Sequence, residues 1–185
     1  EGYAIDDDIN TILTYSWEQN DASNISFSPP NYPLDTGPLF CSVNASPYGN
    51  KRYFPQMESL LNNNYFTGNI EHLPFASREI NMRLLARDNN LISGGYNYKN
   101  VQFFVDENSG PFRVTSQEEE EIWAVGSLQS ITWDVANTDN PTSVNCTSVD
   151  ILLAIDGYDY DIVLAENISN DGSYNIIVPA IPSNN

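Results

Sequence analysis

Residues 13–21 read LTYSWEQND, a stretch in which large apolar and small polar side chains alternate until a polar cluster ends it. Successive side chains of an extended strand point to opposite faces. One face would then carry Leu13, Tyr15 and Trp17, and the other Thr14, Ser16 and Glu18. The pattern predicts a half-buried strand that is wet on one side and needs another sheet to cover its aromatic face.

The same alternation recurs later in the first half of the chain. One segment places four apolar residues on one face, namely Ile80, Met82, Leu84 and Ala86. A second segment does so with Val101, Phe103 and Val105. The turn-rich sequence DNNLISGGYNYKN separates the two. These features predict a β-hairpin with a long loop whose strands pair into the sheet that holds Trp17.

Residues 22–77 differ in character, because they hold seven of the eleven prolines. Proline removes a backbone donor, so most of this segment is excluded from a central strand. We interpret it as a long excursion in which only PQMESLLNN indicates a short helical turn. Its aromatic side chains either form a sugar- or peptide-binding surface or pack the excursion onto the sheet.

The pattern breaks at Asn108-Ser109-Gly110-Pro111, which is typical of a hinge. Five further strands are predicted in FRVTS, LQSITWDVA, SVDILLAID, YDIVLAE and SYNIIVP. Asp171-Gly172 predicts a two-residue hairpin turn before the last strand. The fold class predicted is all-β, with two tandem sandwich-like domains at 1–108 and 109–185. Since a closed sandwich has about seven strands, we expect the second domain to be incomplete at its C-terminus.

The charge is strongly negative, with 25 acidic and 7 basic residues and a formal net charge of −18. Such a surface repels nucleic acid and anionic lipid. No apolar run reaches the roughly 18 residues that a membrane span needs, so we expect no membrane insertion. The acidity fits either a solvated extracellular surface or carboxylates that bind calcium. No signal peptide is evident, and we expect a mature fragment of a longer protein.

Three acidic residues form a tentative calcium site. Asp6 and Asp8 precede the Trp17 strand, and Asp88 follows the Ile80 strand. In an antiparallel sandwich, the start of one strand and the end of another can share one pole, where carboxylate oxygens would hold a hard cation. The alternative is a pair of solvated loops without a metal.

Enzyme signatures are scarce in this chain. His72 is the single histidine, so a His-based zinc site such as H-E-x-x-H is excluded within these residues. We therefore expect no catalytic activity of the chain itself. Cys41 and Cys146 are the two cysteines. They form a disulfide candidate in an oxidising compartment, with two separate thiols as the alternative.

Several blocks, in the same order along nearly the whole chain, resemble the region that follows the catalytic domain in bacterial secreted reprolysin-like zinc metalloproteases. The blocks are LTYSWEQND, GPLF, KRYFP, LPFASREINMRLLARDN, NSGPFRVTS, ITWDVANTDNPTSVNCTSVDILLAIDG and LAENISNDGSYNIIVP. Two positions depart from the family pattern. Cys41 stands where arginine usually follows GPLF, and IDGYDYD replaces a Gly-Gly turn that resembles an Asp-box.

The resemblance implies tandem immunoglobulin-like or PKD-like sandwiches that are secreted or lie at the cell surface. It also implies an upstream zinc domain and a further strand after Asn185. The function expected is a non-catalytic spacer or accessory region that contacts neighbouring domains and docks on protein or polysaccharide substrate. The alternative is an adhesin or structural surface module that calcium stiffens.

Overall fold

The computed structural model describes residues 1–7, 11–22, 37–61, 71, 73–117, 119, 121–155 and 160–181. The chain folds as two compact units, Glu1–Glu107 and Asn108–Asn185. The described elements, in chain order, are β1 (Thr14–Gln19), α1 (Met57–Leu61), β2 (Arg78–Arg87), β3 (Tyr96–Val105), β4 (Arg113–Val114), β5 (Leu128–Asp134), β6 (Ser148–Leu153), β7 (Ile162–Ser169) and β8 (Ser173–Ile177). All strand pairs are antiparallel, which confirms the predicted all-β class.

The first unit is built on a three-stranded sheet in the order β1-β2-β3. Trp17 lies opposite Leu84, and Met82 lies opposite Val101. The alternating pattern therefore predicted both the β2–β3 hairpin and its pairing with the Trp17 strand correctly.

The core of the first unit lies on one face of this sheet. Its buried members are Tyr15, Trp17, Leu39, Phe40, Ile80, Met82, Leu84 and Ala86. The Phe54 ring meets Trp17 edge-on, with centroids 6.1 Å apart, and lies 5.1 Å from the Phe40 ring. In the described part of the chain, a loop therefore covers the aromatic face, where we expected a second sheet. Proline-rich backbone lacks the donors for a ladder, so this segment packs through its side chains.

The other face of β1 is less exposed to solvent than the sequence predicts. Ser16 is only 4% exposed, and its cross-strand neighbour Leu85 is buried as well. The prediction of a wholly wet face was wrong at this position, because the middle of the strand is enclosed on both sides.

The excursion contains a small amount of regular structure. The helical turn predicted in PQMESLLNN is present as α1. Ser46 forms an antiparallel bridge with Tyr15, so it adds one paired residue to the free side of β1. Gly49 lies against this bridge, since a Cβ at Gly49 would overlap the Tyr15 carbonyl oxygen.

The second unit has two small sheets, β4-β5-β8 and β6-β7. Ile131, Trp133 and Ile176 are the buried core residues of the first of these sheets. Apolar side chains of β6 and β7 pack on them, namely Val149, Ile151, Leu164 and Ile168. Two antiparallel layers facing one apolar interior are consistent with a β-sandwich.

The hairpin predicted at Asp171-Gly172 was wrong. β7 pairs with β6 and β8 pairs with β5, so these two residues join strands of different sheets. Gly172 does adopt a positive φ of 96°, and its carbonyl oxygen accepts a hydrogen bond from Trp133 N at 3.0 Å. The local sequence indicates that a turn needs glycine, but it does not indicate which strand the following segment pairs with.

Candidate functional site

The end of β2 and the loop after it are organised by the Asp88 carboxylate. Both of its oxygens accept the Gly95 N–H at 2.8 Å, and Oδ1 also accepts the Asn90 N–H at 3.0 Å. A Cβ at Gly95 would lie 3.1 Å from Asp88 Oδ2, so glycine permits this close approach. In the structure, Asp88 closes the β2–β3 loop.

The two chain segments that carry Asp6 and Asp88 meet at one pole of the sheet. Asn89 Nδ2 donates to the Ile12 carbonyl oxygen at 3.0 Å and to Thr14 Oγ1 at 2.9 Å, which ties the end of β2 to the start of β1. On the other segment, Thr11 Oγ1 donates to Asp6 Oδ2 at 2.8 Å. Asp8, the third residue of the tentative calcium site, lies outside the described residues.

The calcium site remains a prediction. Among the described residues, no three or more His, Cys, Asp or Glu side chains form a group that could hold a metal ion. A calcium ion takes six to eight oxygen ligands, of which Asp6 and Asp88 would supply only a part.

The cysteines lie in different units. Cys41 is exposed in the first unit, and its N–H donates to Glu71 Oε1 at 3.1 Å. Cys146 is partly exposed in the second unit, where its Sγ donates to the Ser148 carbonyl oxygen at 3.3 Å. The disulfide stays a prediction. His72 falls outside the described residues.

A charged cluster within the excursion was not predicted from the sequence. Its centre is Glu71, which is 6% exposed and forms an ion pair with Arg52. Glu71 Oε1 also accepts the Cys41 N–H, and Oε2 accepts the Gln56 N–H at 3.1 Å. One carboxylate therefore holds three points of the excursion together.

The Arg52 guanidinium completes this cluster. It lies over the Phe54 ring, 4.6 Å from the centroid, and its Nη1 donates to the Trp17 carbonyl oxygen at 3.4 Å. Although Cys41 is exposed, partial desolvation raises the pKa of its thiol, the Glu71 carboxylate raises it further, and Arg52 acts in the opposite direction. The cluster thus joins the aromatic core, the edge of β1 and the Cys41 thiol.

A second buried ion pair lies just after the C-terminal end of β1. Arg78 Nη2 is 3.6 Å from Asp21 Oδ2 and donates to the Gly37 carbonyl oxygen at 2.7 Å. Asp21 Oδ1 accepts Asn81 Nδ2 at 2.7 Å, and Gln19 Nε2 donates to Asp21 Oδ2 at 2.6 Å. These contacts fix the end of β1 against β2.

Gln19 also anchors the GPLF segment. Its Oε1 accepts the Leu39 N–H at 2.6 Å and the Phe40 N–H at 2.9 Å. The sequence signal for both ion pairs was present, since six of the seven cations lie between residues 51 and 99. A basic residue beside a proline-rich segment in an acidic chain is a candidate for a buried pair, but its partner is not visible in the sequence.

Comparisons with family models, with curated proteins and with solved structures find no match to this chain. Within its described residues, we also find no helix with the length and hydrophobicity that crossing a bilayer requires.

Proposed function

We propose that the chain is a non-catalytic structural module made of two immunoglobulin-like or PKD-like sandwiches in tandem. It would act as a spacer and docking region beside the catalytic domain of a secreted bacterial metalloprotease. The blocks that resemble this family support the assignment, together with the antiparallel all-β architecture of both units.

The observation that carries the proposal is that the buried charged side chains are bonded to other groups of the protein. The Glu71 carboxylate is occupied by a guanidinium and two backbone N–H groups, and Arg78 is occupied by Asp21 and a carbonyl oxygen. A general acid or base must be able to exchange a proton with a substrate. Groups saturated in this way instead fix the excursion to the sheet, which suits a rigid scaffold.

The surface charge and the excursion support the docking role. A chain with a net charge of −18 would stay dispersed outside a cell, and it would avoid nucleic acid and anionic lipid. Tyr48 is exposed on the excursion, whereas Phe54 packs into the core. We assign protein or polysaccharide substrate, together with neighbouring domains of the same polypeptide, as the partners.

The second candidate function is a surface adhesin or structural module stiffened by calcium. The hydrogen bonds from Asn89 to Ile12 and Thr14 favour it, because they bring the segments bearing Asp6 and Asp88 to one pole. Calcium bound there would lock the start of β1 to the end of β2.

The test is to incubate the purified chain with casein, gelatin and a panel of insoluble polysaccharides. The proposal expects no cleavage of any of them and retention of the chain on at least one protein or polysaccharide after sedimentation. Cleavage that survives repurification and is lost in a folded Glu71→Gln variant would overturn the non-catalytic assignment. Retention that vanishes in molar salt would indicate charge adsorption rather than docking.

A further inference from the structure

The two edge strands of the first sheet differ in whether other parts of the chain pair with their outward backbone groups. On the β1 side, Tyr15 N donates to the Ser46 carbonyl oxygen at 2.9 Å, and Ser46 N donates back to Tyr15 at 3.1 Å. The next outward carbonyl, that of Trp17, accepts Arg52. The excursion thus covers the β1 edge, while β3 forms the opposite edge of the sheet.

The hydrogen-bond phase of the sheet shows which backbone groups of β3 face outward. Asp88 N donates to the Gly95 carbonyl oxygen, and these two residues are opposite each other when the β2–β3 register is continued by one position. In an antiparallel ladder, bonded pairs alternate with non-bonded pairs. The odd-numbered residues of β3 therefore bond to β2, and the even-numbered residues direct their N–H and C=O groups away from the sheet.

The outward groups are Tyr96, Tyr98, Asn100, Gln102 and Phe104. The Tyr98 N–H is taken by the Asn97 side chain at 2.8 Å. Within the described residues, no backbone group pairs with the outer side of the stretch from Asn100 to Phe104. An edge of this kind is a template for another strand.

The side chains along β3 repeat in mirror order about Val101. On the face away from the core, the order is aromatic, amide, amide, aromatic, given by Tyr98, Asn100, Gln102 and Phe104. On the core side, Val101 and Phe103 are 46% and 42% exposed, although their β2 partners Met82 and Ile80 are buried. A strand with this symmetry is complementary to itself when it is turned antiparallel.

The charge along β3 permits two copies to approach. The chain has 25 acidic residues, yet Tyr96–Val105 contains none, and Lys99 is its single charged residue. The neighbouring Arg83 guanidinium lies over the Tyr98 ring, 4.2 Å from its centroid, and bonds Asn100 Oδ1 at 2.9 Å. The repulsion expected from the net charge of −18 is therefore reduced along this edge.

We propose that β3 is a self-association edge, where a second copy of this chain adds its own β3 in antiparallel orientation with Val101 on the two-fold axis. Tyr98 of one copy then lies opposite Phe104 of the other, and Asn100 opposite Gln102. Lys99 faces Phe103, so the two ammonium groups are not opposed. Asn100 and Gln102 of opposite copies become hydrogen-bonded pairs, and the Phe104 N–H donates to the Tyr98 carbonyl oxygen of the other copy. The exposed parts of Val101 and Phe103 are covered.

The first test is analytical ultracentrifugation over a wide concentration range, with two charge variants that differ only at residue 102. Asn100→Lys with Gln102→Lys sets like charges opposite each other twice and should weaken dimerisation by about tenfold or more. Asn100→Lys with Gln102→Glu sets opposite charges there and should restore or strengthen it. Circular dichroism and thermal unfolding establish that both variants keep the native fold.

Two outcomes would overturn the proposal. A native chain that is monomeric at every concentration would leave the β3 edge to a strand from a different protein. A dimer that responds equally to the two charge variants would place the interface elsewhere.

The second test fixes the register by cross-linking in a Cys41→Ser, Cys146→Ser background. Val101 and its symmetry mate form a non-bonded pair with Cα atoms about 4.5 Å apart, which suits a disulfide. Val101→Cys should cross-link under mild oxidation. The control Lys99→Cys has its mate four residues away along the strand, about 13 Å, and should not. Equal cross-linking of the two variants would refute the register.

Discussion

The Trp133 indole Nε1 donates a hydrogen bond to Asn170 Oδ1 at 2.8 Å, and both side chains are buried in the second unit. The Asn170 amide nitrogen donates in turn to Thr138 Oγ1 at 3.0 Å and to the Cys146 carbonyl oxygen at 2.9 Å. One amide thereby links the core tryptophan of β5, the loop after β5 and the turn after β7.

Replacing Asn170 by alanine should destabilise the second unit strongly. The change leaves the buried Trp133 N–H without its acceptor and the Cys146 carbonyl oxygen without this donor, which costs about 2–3 kcal/mol. Urea unfolding followed by tryptophan fluorescence measures the loss. Asn175→Ala is the matched control, because Asn175 is exposed on β8, and its effect should stay within about 0.5 kcal/mol. Equal losses would contradict a structural role for the Asn170 amide.

Removing the Glu71 carboxylate should destabilise the first unit. Glu71→Ala leaves the Arg52 guanidinium buried without its ion-pair partner, and breaking such a pair costs about 3–5 kcal/mol. Urea unfolding measures the loss, with Glu79→Ala, at an exposed position of β2, as the control.

The double variant Arg52→Met, Glu71→Leu separates charge from packing. It should recover part of the loss, since two apolar side chains need no partner. Recovery stays incomplete because the Cys41 and Gln56 N–H groups still lose their acceptor. A double variant less stable than Glu71→Ala alone would show that the Arg52 contacts stabilise the unit even without the carboxylate.

Gly49→Ala should disturb the Tyr15–Ser46 bridge. The new methyl group would overlap the Tyr15 carbonyl oxygen, and backbone in a paired strand cannot move aside cheaply. We expect a loss of about 1–3 kcal/mol in the free energy of unfolding, measured by urea titration. Gly2→Ala is the control, because its methyl group meets only the end of the Leu84 side chain, which can rotate. A larger loss at Gly2 would contradict this contrast.

The Cys41 thiol should react slowly at neutral pH. Partial desolvation and the Glu71 carboxylate raise its pKa, so less thiolate is present in the folded chain than in the unfolded chain at the same pH. Ionisation therefore opposes folding as the pH rises above the pKa of the unfolded thiol. In a Cys146→Ser chain, the rate of iodoacetamide alkylation should increase at a higher pH when the chain is folded than when it is unfolded in denaturant.

In a folded Glu71→Gln variant, the alkylation rate should increase at a lower pH than in the native chain, because the neighbouring negative charge is gone. An upward shift would show that Glu71 acts on Cys41 mainly through backbone position rather than charge.

Calcium, if it binds the Asp6, Asp8 and Asp88 set, should raise the thermal stability of the chain over that in chelator at fixed ionic strength. Calcium at a hundred times its dissociation constant adds about 2.7 kcal/mol. Asp6→Asn should abolish the rise, whereas Asp7→Asn, at the exposed neighbouring position, should keep it. The calcium proposal is falsified if calcium produces no shift in the native chain.

Strand content was predictable because its signal is local. Alternation about Trp17, Ile80 and Val101 identified three strands and their sheet, since a period of two is typical of one buried face. Pairing across sheets was not predictable. Asp171-Gly172 has the chemistry of a hairpin, yet the choice of β5 over β7 as the partner of β8 depends on Trp133 and Ile176 sharing one core.

The charged cluster could not be predicted from the sequence for a similar reason. A buried ion pair depends on distant residues, and nothing within the sequence near Arg52 identifies Glu71 as its partner. The tentative calcium residues were chosen by strand order, which correctly placed the start of β1 beside the end of β2. Strand order carries no information on how many oxygens converge at that pole.

The pairing of β5 with β8 has a consequence for the order in which the second unit forms. Leu128 lies opposite Ile177, so their contact closes a loop of roughly fifty residues, whereas β6 and β7 are near neighbours in the chain. The local β6–β7 hairpin should form first, and the long loop should close last. During synthesis, the Trp133 side chain therefore stays unpaired with β8 until about forty more residues have been made. In that interval it is exposed and can bind a chaperone or the ribosome surface.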